Sequence, residues 1–200
     1  MTGNHTDIYH DTYGSPLGTL LLASDGKHLT GLRFGTDTQE HDSLEVFRQT
    51  RQWLDAYFAG QQPDFTPPLL LSGSLFAQSV YRRLLTVPYG ETATYGQLAR
   101  LLADERQQRR VSAQAVGGAL KRNPIAIIVP CHRIVGADGA LTGYAYGLEH
   151  KAALIRLERS HVRRQVRKDG LSDLDDIIHL ASGAERLAYQ WMAETAIATN

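Results

Sequence analysis

The sequence predicts a two-part α/β protein: a small α/β N-terminal domain, made of a sheet plus one helix, followed by a mainly α C-terminal domain containing a helix-turn-helix. Three observations carry this. Short apolar stretches separated by turn residues occupy residues 8–34. Apolar residues at helical spacing dominate from Leu44 onward. Between them, Pro63, Pro67 and Pro68 form a break that reads as a linker. The expected division is 1–70 for the first domain with its linker, 71–160 for the second, and 161–200 for a C-terminal extension.

Ile8 to Tyr13 reads as a strand, and residues 17–23 as a second, entered through the Gly14-Ser15-Pro16 turn. Ser24-Asp25-Gly26-Lys27 carries an Asp-Gly hairpin signal and places a third strand around residues 29–34. From 44 to 58, Leu44, Phe47, Trp53, Leu54, Tyr57 and Phe58 recur at helical spacing, with Gly60 as the stop. Ser74 can cap a helix carrying Phe76, Val80, Tyr81, Leu84 and Leu85. Thr94 can cap a second over 95–103, and Ser112 a third running to about Arg122. These last two fit a helix-turn-helix, although the 104–111 connection is long for one. Asn123-Pro124 breaks the helix, and 125–129 reads as a short buried strand ending at Pro130. A loop punctuated by Gly136, Gly139, Gly143 and Gly147 leads to a final core helix over about 148–159. In the extension, Leu187, Trp191 and Met192 suggest one more amphipathic helix.

With 42% hydrophobic and 21% charged residues, the composition is that of a soluble globular protein. No apolar run is long enough to span a membrane, and the first residues carry no secretory signal pattern. A single cysteine excludes an internal disulfide and fits a reducing, cytoplasmic setting. The net charge is zero but unevenly spread: residues 1–70 carry −5, residues 71–133 carry +6 and residues 134–200 carry −1. A basic middle segment suits a face that meets a polyanion; a solvated helix surface balanced by the acidic N-terminal part explains it equally well.

Ile128-Val129-Pro130-Cys131-His132-Arg133 is the chemically informative stretch. It sets the only thiol beside an imidazole and a guanidinium, both able to favour the reactive thiolate. In a regular strand, neighbouring residues point to opposite faces, so His132 could assist Cys131 only if the chain leaves strand geometry or a water bridges them. A lone cysteine is more often a small buried hydrophobe, and these residues by themselves favour that reading.

Pro130-Cys131-His132-Arg133, followed by a glycine loop and a helix bearing Glu158, resembles the active site of the O6-alkylguanine-DNA alkyltransferases. The resemblance extends over about 74–158, through Val87-Pro88-Tyr89-Gly90-Glu91, Thr94-Tyr95-Gly96-Gln97-Leu98-Ala99, Ala115-Val116-Gly117-Gly118-Ala119, Asn123-Pro124 and Gly143-Tyr144. It includes, more loosely, Ser15-Pro16-Leu17-Gly18. It implies a winged-helix-like C-terminal domain and in-line, single-turnover transfer of an alkyl group from guanine O6 in double-stranded DNA to Cys131, the base being flipped out of the duplex. O4-alkylthymine is a further substrate it allows. By resemblance His132 deprotonates Cys131 through water, Glu158 orients His132, Tyr95 donates a proton toward the departing guanine, and Asn123 braces the site. Tyr144 would form a lid over the alkyl pocket, with Tyr146 at a further lid position, while backbone groups of Cys131, Ile134 and Ala145 hydrogen-bond the guanine edge. Gln114, Ala115, Gly117, Gly118, Arg122 and Arg133 would face DNA across the minor groove. No cofactor is implied, and the cysteines that bind zinc in some relatives are missing, so no structural metal is expected; the expected partner is DNA, met by a monomer, with no membrane association. Each position also has a plainer reading: Tyr95 as core packing, Asn123 as a helix terminator, Glu158 as a surface carboxylate, and the glycines as close helix packing. The rival functions are a damage-binding protein that transfers nothing, from whose known members the acceptor cysteine is absent, and a Cys-His-Glu hydrolase, which needs an oxyanion hole.

Two departures from the family pattern generate predictions. Gln114 stands where an arginine usually fills the gap left by the flipped base, and it brings no charge. Gln114→Arg should therefore raise the stoichiometric transfer rate on an O6-methylguanine duplex; an unchanged rate refutes the idea. Tyr146 occupies a lid position that is glycine in some relatives, so transfer should favour methyl over benzyl adducts, and equal rates on the two would refute it.

Overall fold

The computed structural model describes residues 7–36, 43–107 and 109–168, with side chains as far as Val162. The helix suggested around Leu187 and Trp191 lies outside the described residues. An antiparallel meander comes first: β1 (Tyr9–Ser15), β2 (Gly18–Ser24) and β3 (Leu29–Phe34), in spatial order β1-β2-β3. The β1–β2 turn falls at Pro16-Leu17, two residues past the predicted start, with Ser15 paired to Gly18. Gly18 there takes a φ of 115°, a conformation side chains disfavour, and the Ser15 hydroxyl donates to its carbonyl. Strand alternation turns Leu20 and Leu22 of β2 to the interior, and Leu29 and Leu32 of β3 join them. Helix α1 (Glu45–Phe58) packs on this sheet through Val46, Phe47, Trp53, Leu54 and Tyr57, all buried.

Three helices then pack on one another: α2 (Leu75–Leu84), α3 (Tyr95–Glu105) and α4 (Ala113–Leu120). Ser74, Thr94 and Ser112 cap them as expected, accepting from the amides of Ala77, Gln97 and Ala115. Thr94 and Gln97 form a reciprocal capping box at the start of α3. Two-residue strands β4 (Ala93–Thr94) and β5 (Ile134–Val135) pair in parallel and tie the entry of α3 to the segment after the cysteine.

The predicted strand over 125–129 does not form. Only Ile125 bridges β3, opposite Leu32, and Ile127 then turns into the left-handed region at φ 67°. A β-branched residue there is strained by about 1–3 kcal/mol, a cost that surrounding burial must offset. All five residues are buried, which is why an apolar run read as a strand: burial explains the composition, and periodicity over five residues cannot separate strand from turn. The last helix, α5 (Leu148–Lys168), also outruns its expected end near Arg159, because no glycine or proline follows Gly147 before Gly170. Contacts group the chain through His161 in one unit and Val162–Asn200 in another, described only as far as the end of α5.

The caps and the core make separable contributions. Thr94→Ala should cost about 1 kcal/mol by urea denaturation, the usual value of an N-cap. Leu154→Ala, at a fully buried position on α5, should cost about 2–5 kcal/mol.

Candidate active site

The segment carrying the cysteine is gripped from two sides. From the sheet, the Leu32 amide donates to the Pro124 carbonyl at 2.8 Å and its carbonyl accepts from Ala126 at 2.7 Å. From the end of α4, Asn123 Nδ2 donates to the Val129 carbonyl at 2.8 Å and to Cys131 Sγ at 3.2 Å, while Oδ1 accepts from the Ile125 amide. The chain then enters a 3-10 turn over Cys131–Arg133. Successive side chains diverge by about 120° there rather than alternating across two faces, so Cys131 and His132 are no longer forced apart. This is the departure from strand geometry that assistance from His132 requires.

His132 is fully buried, and its Nε2 lies 2.7 Å from Glu158 Oε1. Glu158, 1% exposed on α5, also accepts from Arg133 Nε and Nη2 at 2.9 and 3.0 Å, the Gly90 amide at 3.0 Å and the Tyr57 hydroxyl at 2.8 Å. Burial pushes the Glu158 carboxyl up, but His132 and Arg133 outweigh it and hold the pKa at about 2. Facing an ionised oxygen, Nε2 carries the ring proton. Nδ1 is left as an acceptor, buried and without a partner among the described residues. Burial lowers the pKa of His132 against the opposing pull of Glu158, so the ring is a neutral base. Burial likewise raises the Cys131 thiol, with Asn123 and the Lys151 charge pulling the other way. At rest the sulfur is protonated and needs a base.

Cys131 opens on a cavity of about 500 Å³ whose walls include Tyr95, Gln114, Gly117, Gly118, Lys121 and the 142–145 segment. The Tyr95 hydroxyl donates to the Thr142 carbonyl at 3.2 Å, at the cavity edge. A β-carbon built on Gly117 or Gly118 would meet nothing nearer than 3.7 Å, ordinary contact, so packing inside the protein does not demand glycine at either position. Tyr144 packs edge-on to His132, with ring centroids 6.5 Å apart.

Other expected residues fall elsewhere. Arg133, expected to face DNA, points inward: it is 8% exposed, pairs with Glu158 and donates to the Val87 carbonyl at 2.6 Å. Five donor hydrogens in a rigid fork match a buried carboxylate and a backbone carbonyl at once, so Arg133 turns inward rather than toward DNA. Ile134 is buried in β5, its amide donating to the Cys131 carbonyl and its carbonyl accepting from Lys151, and it does not line the cavity. Tyr146 stands behind Tyr144, against Phe34, so any narrowing it causes passes through Tyr144. Ala115 and Arg122 are exposed at the outer face and the end of α4.

Two residues escaped the sequence reading. Lys151 is fully buried and holds the carbonyls of Ile134 and Thr142 at 2.5 and 2.6 Å, tying the loop before α5 to β5. It precedes Glu158 by two helical turns on the same face as Leu154 and Ile155; a lysine inside that apolar stripe was the available signal. Tyr57 was read only as core. Among the described residues, no group of metal-ligating side chains gathers and no helix is long and apolar enough to cross a membrane.

The family model described as 6-O-methylguanine DNA methyltransferase, ribonuclease-like domain, matches residues 8–71, and that described as the DNA binding domain of the same family matches 75–160. The methylated-DNA–protein-cysteine methyltransferase of Methanosarcina acetivorans is 42% identical over 160 residues, covering 76% of this chain and 99% of the relative. That of Mycobacterium leprae is 45% identical over 161 residues, covering 78% and 94%. Among solved structures, the Mycobacterium tuberculosis O6-methylguanine methyltransferase superposes with a TM-score of 0.67 at 43% identity, covering 78% and 94%. The OGT of that organism in complex with DNA gives 0.66 at 44% identity, covering 76% and 94%. The chain belongs to the 6-O-methylguanine DNA methyltransferase family.

Proposed function

We propose that this protein repairs O6-alkylguanine in double-stranded DNA by moving the alkyl group onto Cys131, once per molecule. The observation that carries the reading is the position of Cys131: its sulfur opens on a cavity, and the next residue is the neutral imidazole of a buried His132–Glu158 pair. His132 takes the thiol proton at Nδ1 through a water. The thiolate attacks the alkyl carbon in line, a C–S bond forms as the C–O6 bond breaks, and the guanine receives a proton from the Tyr95 side of the cavity. The thioether has no easy reverse step, so the protein is consumed.

The cavity takes a base flipped from the minor groove, against the small-residue face of α4. Gln114 fills the vacated stack, and exposed Lys121 and Arg122 meet phosphates. A monomer suffices, since every residue of the relay comes from one chain, and a reducing cytoplasm keeps the sulfur available.

Incubation with an O6-methylguanine duplex should add one methylene, about 14 Da, to Cys131 by intact-mass and peptide analysis, as nucleophilic acceptance requires. Cys131→Ser should bind the duplex and gain nothing. Glu158→Gln should slow transfer by roughly 10²-fold or more, the scale of a lost acid–base relay. Because a neutral His132 is required and burial lowers its pKa, the rate should hold through neutral pH and fall only below the ordinary imidazole value of 6.5. Duplex binding without mass gain would indicate a damage-recognition protein instead, and turnover of an ester a hydrolase.

A further inference from the structure

Glu158 receives one donor from the helix of the N-terminal sheet. Tyr57 lies on α1, fully buried, with Trp53 stacked on it at 5.1 Å and Tyr89 edge-on at 5.8 Å. Its hydroxyl donates to Glu158 Oε1 at 2.8 Å and stands 3.4 Å from His132 Nε2. Phenol and imidazole thus share one carboxylate oxygen. A phenol donating to Nε2 would demand the other tautomer, with the ring proton on Nδ1 and no electron pair left for the cysteine proton. The shorter, charge-assisted bond to the carboxylate is the stronger one and excludes that arrangement.

We infer that Tyr57 is a positioning residue for alkyl transfer: by donating to Glu158 Oε1 it leaves the Nε2–H tautomer of His132 undisturbed and tempers the pull of the carboxylate on that ring. The inference rests on the base role of His132 proposed above. In the step concerned, the S–H bond of Cys131 breaks, its proton goes to Nδ1, and the resulting imidazolium is stabilised through Nε2–H by Oε1. Every further donor on Oε1 spreads the carboxylate charge and weakens that stabilisation. Without the hydroxyl, His132 becomes more basic and stays protonated to higher pH, where it cannot accept the thiol proton.

The other groups facing this pair come from several segments. Cys131 and Arg133 belong to the 3-10 turn, Tyr89 and Glu91 to the loop after α2, Tyr144 to the lid and Lys151 to α5. Arg133 and Lys151 already lower the basicity of His132 by charge. Tyr57 acts in the same direction without adding a charge to the core.

Two variants of the full-length protein test this. Tyr57→Phe removes one oxygen and keeps the ring packing, while 3-fluorotyrosine incorporated at position 57 gives a stronger donor of nearly the same shape. Single-turnover methyl transfer from an O6-methylguanine duplex is followed against pH by intact mass, alongside duplex affinity and thermal stability. Tyr57→Phe should slow transfer roughly fivefold to tenfold at mildly acid pH and move the acid limb up by roughly half to one unit, with duplex affinity unchanged. The fluorinated protein should move the limb the opposite way. Limbs that stay in place, or move together, overturn the inference, as does slower transfer with an unmoved limb, which marks packing alone. Should Tyr57→Phe fail to fold, the fluorotyrosine limb decides by itself: a downward shift supports the role and no shift overturns it. A wild type that transfers no methyl group refutes the base role of His132 instead.

Discussion

One buried charge organises this molecule. The Glu158 carboxylate sits in the interior, 1% exposed, and stays ionised there because five hydrogen-bond donors converge on its two oxygens. They come from α1, the loop after α2 and the 3-10 turn, so the charge acts as a junction between segments distant in sequence. Burying a carboxylate costs several kcal/mol unless its surroundings compensate, and removing one partner of such a group typically costs about 3–5 kcal/mol. The packing of the N-terminal sheet, its helix and the cysteine-bearing segment is therefore tied to the ring orientation of His132. Fold and chemistry depend on the same oxygens.

Burial serves the sulfur differently. Enclosure in an apolar wall keeps Cys131 protonated, and oxidation follows thiolate character and exposure. A protein that spends its cysteine in a single event gains from a thiol that is inert until substrate arrives. The neighbouring imidazole of His132 is kept neutral by the same burial. At rest the site therefore holds a protonated thiol beside a neutral imidazole.

The wall opposite the sulfur is built by subtraction. On α4, Gly117 and Gly118 line the cavity without side chains, and a β-carbon at either would meet its neighbours only at ordinary contact distance. The 142–145 segment is fastened through Lys151, which grips the carbonyls of Thr142 and Ile134. Cys131 lies between this helix and the 142–145 segment, at the cavity that both line.

Much of this was legible in the sequence. The three caps, the meander, α1 and the order of motifs around Pro130-Cys131-His132-Arg133 all rest on local chemistry: side-chain oxygens near free amides, strand-length apolar runs, helical periodicity. Those signals act over a few residues and survive in one dimension. What only the tertiary structure decided concerns partners brought together across the chain. The apolar run at 125–129 is a strained buried turn because β3 and Asn123 hold it, and neither lies within it. Arg133 turns inward because a carboxylate 25 residues later waits for it. Tyr57, 101 residues before Glu158, reads as one more core aromatic until its hydroxyl is seen on Oε1. Apolar patterning records that a side chain is buried; which polar atom it meets inside is fixed only when distant segments pack.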